Sequence, residues 1–176
     1  MARAVMVADM LRCFLEKGYP LYCGDRARAI IPRVRALLER EVAAGSKVFF
    51  ICDAHAPDDL EFRMFPPHCV AGSEDAELIP ELRHIPGEKI YKTRYSGFFR
   101  TPLEERLAAL RPERIIVCGV CTDICVCYTT ADARARDYEV EVPTDCVATF
   151  NEKQHQPALE HMERVLGARL VVSERI

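Results

Sequence analysis

Short runs of β-branched and other apolar residues recur along the chain, with longer segments of helical period between them, and this alternation restricts the possible folds severely. Successive parallel strands need a crossover that carries the chain back to the same end, so strand, helix and strand in turn build a parallel sheet. Strands are expected at Ala4–Ala8, Lys47–Cys52, Lys89–Lys92, Arg114–Gly119, Glu139–Val142 and Arg169–Val172. Between the first two, Ile30, Ile31, Val34, Leu37, Leu38 and Val42 fall at helical spacing, which predicts a helix over Ala27–Ala44 stopped by Gly45. Thr101-Pro102-Leu103-Glu104 sets a cap hydroxyl, a first-turn proline and a capping-box carboxylate in order, so another helix starts there. Thr122–Arg136 and Gln156–Leu166 complete the helical set. No repeat or low-complexity linker divides the chain, and 176 residues make about one domain. Residues 1–176 are therefore read as a single domain, a three-layer α/β/α sandwich around a mainly parallel six-stranded sheet.

Composition enters by exclusion. Lys plus Arg is 24 against 27 Asp plus Glu, a net charge of −3, which leaves no basic excess for a phosphate backbone and argues against a nucleic-acid partner. The longest apolar runs, such as Ile115–Cys121, fall far short of the roughly 20 residues that cross a bilayer, so no membrane association is expected. Near the start, the apolar stretch Ala4–Ala8 is interrupted by Asp9 and Arg12, too soon for a secretory signal, and a cytoplasmic location is the expectation. Nine cysteines, an odd count without framework spacing, read as reduced thiols that are mostly buried, with one or two reactive.

In open parallel sheets, ligands collect beyond the carboxyl ends of the strands. That rule brings Asp9, Asp53 with His55, Lys92, and the segment Gly119 to Cys125 to one edge. Cys125 falls in the first turn of a helix, where free N–H groups and the dipole favour thiolate, so it is either a nucleophile or one more buried small residue. Asp9 is either a cap or a partly buried acid able to take the thiol proton, and Lys92 either a rim cation or a stabiliser of developing negative charge. Asp53-Ala54-His55 and the later Phe65-Pro66-Pro67-His68 share one long loop region. Residues two apart in extended chain share a face, so this carboxylate and two imidazoles suit a divalent transition metal, the alternative being hydrogen bonding within the loop. Cys118-x-x-Cys121 lacks the second pair or nearby histidine of a zinc set. Cys13, Cys23, Cys52, Cys69, Cys127 and Cys146 are assigned to packing, and His84, His155 and His161 to surface or structural roles.

Three blocks in order, Asp9-Met10 with Phe14, Lys92-Thr93-Arg94-Tyr95-Ser96-Gly97-Phe98, and Gly119-Val120-Cys121-Thr122-Asp123-Ile124-Cys125-Val126, resemble the motifs of the isochorismatase-like cysteine hydrolases. The resemblance runs over nearly the whole chain, through Asp145-Cys146-Val147-Ala148 and His155–Leu159. It implies a triad of Asp9, Lys92 and Cys125, and a non-proline cis peptide before Cys121 that turns the N–H groups of Cys121 and Cys125 toward an oxyanion. Asp53-x-His55 with Phe65-Pro66-Pro67-His68 is similar to the metal signature of the nicotinamidase branch, although Ala54 stands where many of those enzymes have Trp. By the same resemblance Glu61, seven positions before His68, is a direct or water-mediated ligand, ahead of Asp58 and Asp59.

The resemblance thus implies one divalent metal, zinc first and iron or manganese next, which binds a pyridine nitrogen while Phe14 and Tyr95 enclose the ring. The activity implied is hydrolysis of nicotinamide to nicotinate and ammonia through a thioester, by a homodimer or homotetramer. A second reading keeps the triad and takes another small amide or an N-carbamoyl or ureido compound. A third, non-enzymatic, makes the protein a small-molecule-binding or redox-sensing module on this fold. Isochorismate itself is disfavoured, because cleaving its vinyl ether needs no thiol nucleophile.

Overall fold

A computed structural model describes residues 3–176. Its strands are β1 (Arg3–Ala8), β2 (Lys47–Asp53), β3 (Glu88–Lys92), β4 (Arg114–Val120), β5 (Val140–Pro143), β6 (Val147–Ala148) and β7 (Arg169–Val171). They form one parallel sheet in the order β3-β2-β1-β4-β5-β7, with β6 added beside the end of β4 through Gly119 and Val120. The six expected strands are present to within two residues at each end. The two-residue β6 was not foreseen: it is too short to show a period.

Alternation along each strand divides the core between the two faces of the sheet. Val5 and Val7 of β1 join Val48 and Phe50 of β2 on one face, packed against Ile31, Val34, Leu37 and Leu38. Ala4, Met6 and Ala8 join Phe49 and Ile51 on the other, under Leu103, Leu107, Leu159 and Met162. The first face is covered by α1 (Arg12–Leu15), α2 (Asp25–Ala29) and α3 (Ile31–Ala43), and the second by α4 (Leu103–Leu110), α5 (Cys127–Arg134) and α6 (Glu152–Arg164).

The expected helix over Ala27–Ala44 is in fact two, α2 and α3, broken at Ile30. Pro32 has no N–H to give to the preceding turn, so it can open α3 but not continue α2. Gly45 follows α3 with φ of 84°, as the stop signal required. The Thr101 hydroxyl accepts the Leu103 N–H at 3.3 Å at the start of α4. The helix expected over Thr122–Arg136 begins instead as one π-helical turn, Thr122–Val126, before the regular turns of α5. α6 starts four residues before its expected position, because the Asn151 side chain caps it by accepting the Lys153 N–H at 3.1 Å and Pro157 is accommodated inside.

Chain order reverses between β1 and β4, so the crevice at the carboxyl end of that pair is where this topology places a ligand. Gly119 of β4 pairs with Ala8 of β1; its φ is 107°, and a Cβ there would lie 2.1 Å from the Ala8 carbonyl oxygen. Only glycine fits there. Its neighbours in space are Asp9 on one side and the turn carrying Cys121 and Cys125 on the other. No helix among the described residues is long and apolar enough to cross a membrane.

Candidate active site

Asp9 leaves β1 with φ of 47°, a left-handed conformation that aspartate tolerates better than most residues. Its backbone N–H donates to the Ile51 carbonyl at 2.9 Å, and its Oδ1 accepts the Asp53 backbone N–H at 2.9 Å, so the end of β2 holds the carboxylate in place. Lys92, last residue of β3, turns inward and is only 2% exposed. Its Nζ lies 2.9 Å from Asp9 Oδ2, makes a short ion pair with Asp53 Oδ1, and stands 3.6 Å from Cys125 Sγ. Four strands' ends therefore place Asp9, Asp53, Lys92 and Cys125 in one buried cluster.

The electrostatics of that cluster differ from the sequence expectation at one point. Burial pushes the Cys125 thiol well above its ordinary pKa, and the nearby Lys92 ammonium only partly opposes this. Burial thus favours the thiol, against the thiolate expected from the helix terminus. A base is needed to activate it. Asp9 is suited to that work: burial and the Asp53 charge raise its pKa to about 6, Lys92 opposing them. Burial acts the same way on Asp53, but the Lys92 ammonium leads the groups that overcome it and bring that pKa down to about 2. Burial also works against the Lys92 ammonium, yet the Asp53 and Asp9 carboxylates hold its pKa well above normal.

Cys121 follows a cis Val120–Cys121 peptide, as the motif resemblance implied. Its N–H makes no backbone hydrogen bond among the described residues. Its sulfur faces Cys23 at 3.6 Å and not Cys118, which is buried in the sheet, so the Cys-x-x-Cys spacing brings no sulfur pair together. All nine cysteines are free thiols. His155, expected to be surface or structural, is the latter: its Nδ1 is 2.9 Å from the Thr122 hydroxyl, tying α6 to the π-helical turn of Cys125.

Beside the cluster, Asp53, His55 and His68 each present one ligand atom within 4.8 Å of the others. The shared face of Asp53 and His55 is as the extended spacing predicted. A bridge between His55 and Val70, with His55 N–H donating to the Cys69 carbonyl at 2.9 Å, folds the loop back and delivers His68 alongside. His68 Nδ1 donates to the Pro66 carbonyl at 2.8 Å, and His55 Nδ1 meets Asp59 Oδ2 at 3.1 Å. Both Nε2 atoms then face Asp53 Oδ2, at 3.6 and 3.8 Å.

Two nitrogen lone pairs directed at a carboxylate oxygen repel one another unless something positive lies between them. His55 Nε2 is moreover a buried polar atom with no hydrogen-bond partner. This donor set fits a divalent cation. Glu61 is buried and lines the same cleft, its Oε2 also without a hydrogen-bond partner, but it stands outside the tight group of three. Asp58 is exposed, while the Asp59 side chain is buried behind His55.

One cleft opens over both clusters. Phe14, Leu21, Phe65, Tyr95, Ile124 and Phe150 form its apolar walls, with Asp9, Asp53, Glu61 and His68 among its polar groups. Phe14 and Tyr95 were expected there. Leu21, Phe65, Ile124 and Phe150 were not assigned to the pocket, and an apolar residue in a loop carries no signal of the cavity it faces.

Residues 3–174 match the family model described as "Isochorismatase domain". The crystal structure of nicotinamidase PncA from Bacillus subtilis is 32% identical and aligns with a TM-score of 0.91, covering 97% of this chain and 99% of that one. N-carbamoylsarcosine amidase from Thermoplasma acidophilum is also 32% identical at a TM-score of 0.91, with coverage of 100% and 99%. Pyrazinamidase of Pyrococcus horikoshii, solved in complex with zinc, is 29% identical at a TM-score of 0.88, with coverage of 97% and 98%.

Proposed function

The chain belongs to the isochorismatase domain family, and from that premise we propose that it is a cysteine amidohydrolase that converts nicotinamide and water to nicotinate and ammonia. Hydrolysis of amide carbon–nitrogen bonds is the activity its similar structures share by name. The observation that carries the substrate is the adjacency of two clusters in one cleft. Cys125 Sγ lies 3.6 Å from Lys92 Nζ, Lys92 also pairs with Asp53, and Asp53 belongs to the His55 and His68 group. An amide whose aromatic ring carries a lone-pair nitrogen uses both clusters at once.

In this reading Asp9 takes the thiol proton and Cys125 attacks the carboxamide carbon. Lys92 and the N–H groups of Cys121 and Cys125 stabilise the oxyanion. The tetrahedral adduct collapses as Asp9 returns the proton to the departing ammonia, leaving a thioester on Cys125. Asp9 then takes a proton from water as it attacks the thioester, and the adduct collapses to nicotinic acid, which ionises to nicotinate, while the expelled Cys125 sulfur takes the proton back from Asp9. Asp53, His55 and His68 would hold a divalent cation, zinc by the chemistry of two imidazoles and one carboxylate with iron or manganese next, and when bound it supplies a Lewis acid for the ring nitrogen. Glu61 stands ready as a water-mediated or direct addition to that set. Phe14 and Tyr95 flank the ring.

The likeness to N-carbamoylsarcosine amidase supports a second reading, in which the substrate is an N-carbamoyl or ureido compound. Such substrates commonly carry a carboxylate, and the cleft lining offers Asp9, Asp53 and Glu61 but no Arg. The buried Lys92 ammonium beside the cleft is already paired with Asp9 and Asp53. The side chains of the lining therefore favour a neutral amide. Ammonia release from nicotinamide, pyrazinamide and a panel of ureido acids tests the choice: turnover of the first two by zinc-loaded enzyme is expected, and turnover of ureido acids alone would replace nicotinamide with the second reading.

A further inference from the structure

Asp59 does not line the cleft, yet two groups of the histidine loop and Arg94, beyond the end of β3, converge on its carboxylate. Oδ2 lies 3.1 Å from His55 Nδ1. Oδ1 accepts the Glu61 backbone N–H at 2.9 Å and an Arg94 guanidinium N–H at 2.9 Å. The side chain is 7% exposed, so water does not compete freely for these bonds.

An ionised carboxylate only accepts hydrogen bonds, so the imidazole nitrogen facing it carries the hydrogen. Arg94 and the Glu61 N–H keep Asp59 in that accepting state. Where a cation is held, His55 is thereby fixed as the Nδ1–H tautomer, which leaves the Nε2 lone pair, 3.6 Å from Asp53 Oδ2 and without a hydrogen-bond partner, free for it. The rings of Phe62 and His68, with centroids 5.4 and 4.7 Å from that of His55, leave the imidazole little freedom to turn. His68 receives the same service from the Pro66 carbonyl, a backbone group.

We propose that Asp59 is a positioning residue for the cation site: it fixes the tautomer and orientation of His55 and, by capping the 3₁₀ turn Leu60–Arg63, also sets the place of Glu61. The inference rests on the metal reading of Asp53, His55 and His68. A carboxylate behind a ligating histidine raises the ligand's basicity and removes the entropy of ring rotation, and its loss typically weakens metal affinity by about 10–100-fold.

The test measures zinc affinity by competition with a chromogenic chelator for wild type, Asp59→Ala, Asp59→Asn and Arg94→Ala. Asp59→Ala is expected to weaken zinc by about 10–100-fold. Asp59→Asn, which keeps an oxygen acceptor, should lose less, and Arg94→Ala, which leaves the His55 bond intact, should lose little. Saturating zinc should restore turnover of Asp59→Ala toward the wild-type value, which it would not do for a general structural lesion. Nitrogen-15 NMR of the zinc-loaded wild type provides an arm independent of any variant and should show the proton on His55 Nδ1. Wild-type affinity in Asp59→Ala, or a proton on His55 Nε2, would overturn the role of Asp59 and leave the metal reading standing. A wild-type protein that binds no zinc, iron or manganese would overturn both.

Discussion

At the scale of residues, the surroundings of Cys125 favour its thiol form, and in the proposed mechanism Asp9 takes that proton. Burial raises both pKa values, and Lys92 lies against both groups. The thiol and the histidine group should consequently separate under mutation. Cys125→Ala is expected to lower turnover by at least about 10³-fold while keeping bound metal, because it removes the nucleophile and no proposed ligand. His68→Ala takes one nitrogen from a set of three and should lose metal and substrate affinity together. Elemental analysis and ligand titration of both variants check the pattern, and a His68→Ala protein that kept its metal and its nicotinamide affinity would return His68 to a loop-structural role. Asp9, Asp53 and Lys92 stood out in the sequence because each sits where an apolar strand gives way to a charged residue, whereas Cys125 and His68, in the turn after β4 and the loop after β2, stood out through the motifs that hold them. The Cys121 peptide geometry could be had only from motif resemblance, and the partners of Asp59 not at all. They come from Arg94, thirty-five positions away in the chain, and from a histidine tautomer fixed by three-dimensional contact.

At the scale of elements, the site depends on how tightly β1 and β4 close on each other. Gly119→Ala would set a Cβ 2.1 Å from the Ala8 carbonyl oxygen in a backbone conformation unsuited to alanine. It is expected to destabilise the fold by about 1–3 kcal/mol from backbone conformation alone, with the overlap adding to this. Because Asp9 and Cys121 adjoin the two strand ends, turnover per folded molecule should fall as well. Urea denaturation with parallel kinetics checks both effects, and unchanged stability would mean that the strands are not held at this distance. The strands were readable from alternation and length, as were α3 and α4 from apolar spacing and caps. The break at Ile30 followed from Pro32, whose ring position was available in the sequence but outweighed by the continuous apolar stripe around it. The π-helical turn at Thr122–Val126 leaves no mark on residue spacing, and β6 exists only because Gly119 and Val120 offer it a partner.

At the scale of the whole molecule, the parallel sheet brings four strand ends together, and the proposed nucleophile, its proposed base and the proposed cation-binding group share one cleft. We propose that the molecule assembles as a homodimer or homotetramer. Large apolar side chains stand exposed on separate elements, among them Tyr91 on β3, Tyr128 on α5 and Val165 after α6, at 58%, 53% and 68%. Light scattering across micromolar concentrations should show a mass at least twice that of the 20.0 kDa chain, and a monomer throughout would contradict the assembly without touching the chemistry.

The reaction itself is tested most directly by acid-quenching zinc-loaded enzyme during turnover of nicotinamide and locating any covalent adduct by peptide mass spectrometry. The expected result is one nicotinoyl group on the peptide carrying Cys125, absent from Cys125→Ala and chased by water to nicotinate at the rate of ammonia release. Nicotinamide turnover with Cys125 unmodified and dispensable, or an adduct on Cys121 instead, would contradict the account.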